Sequence, residues 1–230
     1  MIYRENIDEA AEELQHFKDS LRENLLQYTR QAFQVLQKKS KPRILDIGCG
    51  SGVPTLELAK LSGGEVIGID IDKAQLERLK IRIEKAGLQH RVKTFNRSML
   101  NLEFSDNFFD IIWAEGSIAV IGFEKGLREW GRTLKTGGYL VVHDDMGNLE
   151  EKTILIPRCG YTLIHHFILG SDEWWKNYYA PLEKKINEIK EQYVSSKGIE
   201  ELLGGDQREI DGFGKDPERY RSVFFILSKL

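Results

Sequence analysis

Three glycines at alternate positions, Gly48, Gly50 and Gly52, follow directly on the run Ile44-Leu45-Asp46-Ile47. An amphipathic segment begins at Val53. A strand that feeds a glycine loop and then a helix suits a ligand, because glycine accepts positive φ and lets backbone approach without intervening side chains. In an open parallel sheet, ligands occupy the crevice beyond the strand C-termini. Two carboxylates frame this loop: Asp46 stands two residues before Gly48, and Asp70 ends the next β-branched run, Val66 to Asp70.

The spacing discriminates among nucleotides. Dinucleotide folds use G-x-G-x-x-G to bring a helix N-terminus against a pyrophosphate. Here the glycines read G-x-G-x-G, and the carboxylate of Asp46 would repel a pyrophosphate but suits an ammonium group. An acidic side chain at the end of the second strand can accept hydrogen bonds from ribose hydroxyls. A ligand with an adenosine and a cationic amino-acid tail satisfies both carboxylates. S-adenosyl-L-methionine is such a ligand, with S-adenosyl-L-homocysteine as its demethylated product. An NAD-linked dehydrogenase fits the glycine spacing least well.

The elements that must position these groups alternate in period. Arg43–Ile47, Val66–Asp70, Val92–Asn96, Asp110–Ala114 and Tyr139–His143 read as strands. Val53–Leu61, Lys73–Ala86 and Phe123–Leu134 read as helices between them, with Asp72 and Gln75 capping the second and Gly87 ending it. Such alternation predicts an α/β fold, a parallel sheet with helices on both faces. Upstream, Leu14, Phe17, Leu21, Leu25 and Tyr28 share a helical face. Ser20-Leu21-Arg22-Glu23 fits a capping box, which predicts two helices with a break near Asp19. Downstream, a helix is expected over Leu149–Arg158, strands over Tyr161–Leu169 and Arg221–Ser228, and a long helix over Asp172–Val194. The glycine-rich, charged stretch 197–217 reads as a surface loop. Nothing resembles a linker, so one domain is expected: a helical lid over 1–40, a cofactor-binding core over 41–145 and an acceptor-side half over 146–230.

The runs ILDIGCGSG, VIGID, RSM at Arg97–Met99, FDIIWAEG and LKTGGYLVV together resemble class I S-adenosylmethionine-dependent methyltransferases. EGSIAVIGFEKGLREW and DEWWKNYYAPLEKKI are similar to the ubiquinone/menaquinone C-methyltransferase-like branch. The resemblance covers Lys41 to Asp144 in continuous order. It implies a Rossmann-like, seven-stranded, mostly parallel sheet whose last strand lies antiparallel beside strand five. It implies that Asp46, Gly48, Gly50 and Gly52 surround the methionine moiety, and that Asp70 holds the ribose with Ile71 against the adenine. Ser98 and Met99 then hold the adenine from the loop after strand three, and Glu115 lines the place where donor and acceptor meet.

Methyl transfer from a sulfonium is an in-line displacement, so much of its rate can come from positioning, and a base is needed only if the acceptor must lose a proton. His143 and Glu115, at the ends of strands five and four, are the catalytic candidates; a histidine titrating near neutrality would suit a base. His165 and His166, adjacent in a strand, point to opposite faces. Asp144-Asp145 beside His143 raises a metal, but the pair does not match the Asp and Asp-Asn pattern of metal-dependent catechol-type methyltransferases, so none is expected. Trp175, Tyr179, Leu182, Ile186, Ile189 and Tyr193 fall on one buried stripe of the long helix. Trp174 and Tyr178 lie off it and, with Tyr3 of the N-terminal lid, are the candidates for a substrate pocket. Pro181 removes one helical hydrogen bond and predicts a bend near Asn177.

Composition narrows the partners. With 33 Lys and Arg against 36 Asp and Glu, the net charge is −3, without the basic excess of a nucleic-acid binder. Two cysteines, Cys49 and Cys159, give no disulfide framework and point to a reducing compartment. The acidic stretch Met1–Leu14 lacks the basic and apolar regions expected of a secretory signal, and the longest apolar run, Val223–Leu227, is far too short to span a membrane. The expectation is a cytoplasmic transferase acting on a small-molecule acceptor, whether monomer or homodimer. An RNA or protein methyltransferase, or a cofactor-binding protein without turnover, are the alternatives.

Overall fold

The computed structural model describes residues 2–193 and 197–230, with side chains from residue 7 onward. Seven strands form one sheet: β1 (Arg43–Ile47), β2 (Glu65–Asp70), β3 (Val92–Asn96), β4 (Phe109–Glu115), β5 (Leu134–Asp145), β6 (Tyr161–Leu169) and β7 (Ser222–Lys229). Their spatial order is β3-β2-β1-β4-β5-β7-β6. β3, β2, β1, β4 and β5 pair in parallel, and β7 runs antiparallel to β5, with His143 opposite Phe224. This is the Rossmann-like sheet expected from the sequence, closed by an antiparallel strand. The order reverses between β1 and β4, which opens a crevice at the C-terminal end of β1.

Residue parity sorts the sheet into two faces. Leu45, Ile47, Ile112, Ala114, Leu140, Val142 and Phe225 join a core with α4 (Phe123–Gly131) and α5 (Leu149–Arg158), through Leu127, Trp130 and Ile156. Phe123 meets Phe225 at 5.1 Å between ring centroids. The other face carries Asp46, Trp113, Glu115, His143 and Phe224. It is covered by α2 (Val53–Ser62), by α3 (Lys73–Lys85) and by the last turns of α1 (Ile2–Val35), whose Phe33 ring lies 6.4 Å from that of Trp113. Both faces are covered, which is why β1 and β4 read as near-continuous apolar runs.

Residue contacts divide the chain into two compact units, 1–25 with 169–221, and 26–168 with 222–230. The second holds the sheet. The first is helical: α1 up to Leu25, α6 (Ser171–Trp174), a π turn (Trp175–Tyr179), α7 (Ala180–Gln192) and α8 (Lys197–Lys215). Its core gathers Ala10, Leu14, Leu21, Tyr179, Leu182, Ile186, Ile189, Leu203 and Phe213. Lys18 pairs with Asp206 at 2.7 Å, and the Tyr179 hydroxyl donates to Glu209 at 2.9 Å.

Three expectations are corrected. α1 is one helix with no break at Asp19, because the Ser20 hydroxyl donates back to the Phe17 carbonyl at 2.7 Å instead of capping a new helix. The stretch 197–217 is mostly α8 rather than a loop: burial of Ile199, Leu203, Ile210 and Phe213 on one face offsets the cost of its glycines. Gly212 there leaves room for the Tyr220 ring, which a methyl group would strike. Trp175 leaves the buried stripe and is 38% exposed, stacked on Phe213 at 5.4 Å. The π turn is the cause, since its extra residue rotates Trp175 away from the phase of Tyr179 and Leu182. The distortion sits where Pro181 removes a donor, and the side-chain amide of Asn24 donates at 3.5 Å to the Asn177 carbonyl so released. Val194, where this helix was expected to end, lies outside the described residues.

The cap read from sequence is in place: the Asp72 carboxylate accepts from the Ala74 and Gln75 amides at 2.8 and 3.2 Å. Asp72→Ala is expected to cost about 1 kcal/mol, and Asp72→Asn a few tenths or less, in urea unfolding. An Asn variant as unstable as the Ala variant would remove the cap as the explanation.

Candidate cofactor site

β1 delivers the glycine loop into the crevice, and each glycine has its own reason. Gly48, at φ +72°, would place a Cβ 2.6 Å from Ser117 Cβ. Ser117 sits there because its hydroxyl donates to the Ile47 carbonyl at 2.7 Å, pinning the loop after β4 to the end of β1. Gly52, at φ +82°, leaves room for the Leu79 side chain of α3. Gly50 differs: at φ +52°, a Cβ would meet nothing within 4 Å. Its open side is space that a ligand can fill.

Asp70 fastens the loop from β2. Its Oδ2 accepts the Gly50 amide at 2.8 Å, and its Oδ1 accepts the Asp72 amide at 2.9 Å. A carboxylate oxygen can accept more than one hydrogen bond, so capacity remains for two vicinal hydroxyls. Asn96 at the end of β3 donates to the carbonyls of Asp70 and Ile71 at 3.0 and 2.9 Å, which fixes the turn after β2. Ile71 follows with its side chain 71% exposed, an apolar surface available to a flat ring.

Asp46 is buried and accepts the Thr55 hydroxyl at 2.6 Å. Burial raises its pKa to about 7; the Thr55 bond opposes the rise, and the nearby Glu115 and Asp70 carboxylates add to it. A buried carboxylate without a counter-charge is costly, and an arriving ammonium would restore its ionisation. Glu115 is half-buried at the end of β4. Its Oε1 accepts both the Trp113 indole N–H at 2.7 Å and the Thr29 hydroxyl at 2.8 Å. Burial raises its pKa, against the effect of these two bonds.

The loop after β3 holds the other two expected contacts. Ser98 Oγ accepts the Leu100 amide at 3.2 Å, while the Met99 carbonyl accepts the Trp130 indole N–H at 3.1 Å. The Met99 methyl lies 3.8 Å from where a Gly48 Cβ would be, so this loop closes over the glycines. Asp46, Gly48, Gly50, Asp70, Met99 and Glu115 are thus brought to one end of the sheet.

His143 is the register partner of Glu115 across β4 and β5. It stacks on Phe224 at 4.4 Å, and its Nε2 lies 2.8 Å from Ser222 Oγ. Burial pushes its pKa down to about 4, so the ring is neutral at physiological pH and a weaker base than a histidine titrating near neutrality. Asp144 and Asp145 are engaged by Lys152 at 2.7 and 3.2 Å, and no group of three or more His, Cys, Asp or Glu stands together for a metal among the described residues. Cys49 is buried beside Gly68, and burial raises its thiol pKa, which makes it inert. Trp174 and Tyr178 form an edge-on pair at 5.9 Å in the helical unit, and the Tyr178 pKa is raised by burial to about 12. The side chain of Tyr3 lies outside the described residues.

Sequence reading missed Thr55, Thr29, Trp113, Ser117, Ser222 and Phe224. Thr55, nine residues after Asp46 in the following helix, is the one a local pattern could have found.

The fold is a Rossmann-like domain with two carboxylates, Asp46 and Asp70, and an open glycine, Gly50, at the C-terminal end of its parallel strands. Comparison with known proteins agrees. Residues 44–138 match the family described as "Methyltransferase domain". Methyltransferase GfsG of Streptomyces halstedii is 34% identical over 183 residues, 76% of this chain and 65% of that protein. Sterol 24-C-methyltransferase ERG6B of Gibberella zeae is 29% identical over 174 residues, 63% of this chain and 46% of that protein. The chain therefore spans less than two thirds of the length of these curated relatives. A S-adenosylmethionine-dependent methyltransferase from Geobacter sulfurreducens, solved with S-adenosyl-L-homocysteine, shares the fold at a TM-score of 0.73 and 19% identity, over 90% of this chain and 91% of that one. Residues 44–138, less than half of the chain, thus match a methyltransferase domain, and a solved structure described as S-adenosylmethionine-dependent shares the fold.

The site residues fit S-adenosylmethionine by their own geometry, so the glycines should separate by role. Gly50→Ala is expected to keep most of the stability, losing about 1–2 kcal/mol to left-handed strain, yet to bind S-adenosylhomocysteine at least about tenfold more weakly. Gly48→Ala should lose more stability than Gly50→Ala, because its methyl meets Ser117. Calorimetry and urea unfolding of both variants check this; full ligand affinity in Gly50→Ala would mean the open side is not ligand space.

Proposed function

We propose that this chain transfers the methyl group of S-adenosylmethionine to a small-molecule acceptor. The observation that carries the reading is the open cradle at Gly50, fastened by Asp70 and flanked by the buried Asp46. Bound there, S-adenosylmethionine supplies an electrophilic methyl group. The chain's own residues then do the positioning. Asp46, aligned by Thr55, receives the ammonium; Asp70 receives the ribose hydroxyls; Ile71, Ser98 and Met99 receive the adenine.

With the donor held by Asp46, Asp70, Ile71, Ser98 and Met99, an acceptor would be placed in line with the donated methyl group. Holding that line is where the rate comes from, because positioned reactants have large effective molarities. Glu115 and His143, adjacent across β4 and β5, are the side chains assigned to the place where donor and acceptor meet, and His143 is neutral there at physiological pH. We assign Trp174 and Tyr178, the edge-on aromatic pair of the helical unit, as contacts of the acceptor. The small-molecule class follows from the acidic balance of the chain and from a relative named for a sterol substrate. A cytoplasmic enzyme is consistent with the absence, among the described residues, of any helix long and apolar enough to cross a membrane.

Methyl-labelled S-adenosylmethionine, offered with a metabolite extract, total RNA and protein in parallel, tests the class of acceptor. Label is expected in the small-molecule fraction. Label confined to RNA or protein would overturn the acceptor class, and S-adenosylhomocysteine binding with no label anywhere would mean a binding protein. The state of Asp46 sets the pH dependence. Below about pH 7 its carboxyl is protonated and must lose that proton to pair with an ammonium, so S-adenosylhomocysteine affinity should fall as pH drops from 8 to 6. Asp46→Asn should flatten the profile. An equally steep profile in that variant would assign the proton to another group.

A further inference from the structure

Glu115 is held in an unusual way for a half-buried carboxylate. Both of its donors, the Thr29 hydroxyl and the Trp113 indole, bind the same oxygen, Oε1. Thr29 is 1% exposed and Trp113 is fully buried, so neither donor is free to wander. Among the described residues no donor meets Oε2. Nor does any Lys or Arg there pair with Glu115: Arg30, next to Thr29, is committed to Glu57 at 2.6 Å, and Lys152 to Asp144 and Asp145. The register partner, His143, bonds Ser222 and stacks on Phe224. Glu115 is therefore clamped by neutral groups on one oxygen and open on the other.

Its direction is fixed by the sheet. Asp46 of β1 is paired in register with Trp113 of β4, and Glu115 lies two residues beyond Trp113, on the same face. Two residues of strand advance about 6–7 Å, so Glu115 stands one step past Asp46 toward the C-terminal edge, beside the glycine loop. Asp46 and Asp70 already account for the ammonium and the ribose of the ligand. Glu115 is a third carboxylate at the same end of the sheet, and nothing in the ligand's tail or ribose requires it. What distinguishes the donor from its product is one formal positive charge, on sulfur, which methyl transfer removes.

We propose that Glu115 lets this site tell the charged sulfonium donor from the neutral sulfide product, and that Thr29 is the positioning residue that holds it in that role. This rests on the reading of the crevice as the S-adenosylmethionine site. The consequence is directional. Glu115 attracts the donor while sulfur is charged, and the attraction lapses when the S–C bond has broken, which favours exchange of product for fresh donor. The indole of Trp113 belongs to the core of the sheet, whereas Thr29 contributes its hydroxyl from α1, so Thr29 is the separable half of the clamp.

Calorimetric titration with S-adenosylmethionine and, separately, with S-adenosylhomocysteine tests this without an acceptor. In Glu115→Gln, donor affinity should fall about tenfold, the order expected of one charge pair at partly screened range, while product affinity stays within about twofold. Thr29→Val should reproduce the same selective loss, Thr29→Ser should restore the wild-type ratio, and the double variant should lose no more than Glu115→Gln alone. Product binding reports in each case that the site is folded. Equal loss of both ligands would make Thr29 and Glu115 structural, and an unchanged ratio in Glu115→Gln would place the carboxylate away from sulfur; either result overturns the proposal. If the wild-type protein binds neither ligand, the cofactor reading fails first and this inference with it.

Discussion

The arrangement depends on one hydrogen bond, from the Gly50 amide to the Asp70 carboxylate. It joins the end of β2 to the loop that leaves the adjacent strand β1, beside the point where the strand order reverses between β1 and β4. Without that tie the glycine loop would have no reason to hold Gly50 at positive φ over open space. With it, a single carboxylate both shapes the loop and faces the crevice. Asn96 braces the same turn from β3 and Ser117 braces the loop from β4, so four adjacent strands converge on a few residues of backbone.

Electrostatics then give the crevice its chemistry. Asp46, Asp70 and Glu115 stand at one end of the sheet, and the bonds they make are to hydroxyls, an indole and backbone amides rather than to lysine or arginine. A site with this balance is poorly suited to a phosphate and well suited to a cation. The Lys152 bridge to Asp144 and Asp145 neutralises two further carboxylates at the end of β5. The raised pKa of Asp46 and the lowered pKa of His143 share their largest cause, burial at the covered face of the sheet.

Much of the sheet was legible in the sequence because its signals are local. β1, the glycine loop, the Asp72 cap and the strand boundaries at Val92–Asn96 and Tyr161–Leu169 each follow from residues close together in the chain. The failures have physical reasons. α8 was hidden by its glycines, whose weak helix propensity is overridden by burial of Ile199, Leu203, Ile210 and Phe213. Trp175 was misassigned because a helical stripe assumes a constant period, and the π turn changes it. Ser20 looks like a cap, but a hydroxyl can bond backward as readily as forward. Thr29 and Ser117 could not be found at all. Their partners, Glu115 and Ile47, lie 86 and 70 residues away, and a lone hydroxyl in a helix or loop carries no pattern.

The proposed S-adenosylmethionine site at Asp70 and the glycine loop differs from a dinucleotide site in the ligand it selects. Calorimetric titration of the wild-type protein and of Asp70→Ala with S-adenosylhomocysteine, beside NAD, tests it most directly. Wild-type binding of S-adenosylhomocysteine is expected to weaken by about tenfold or more in the variant, a loss near 1.4 kcal/mol, with no binding of NAD. Binding of NAD by the wild type, or S-adenosylhomocysteine affinity that is the same with and without the Asp70 carboxylate, would contradict it.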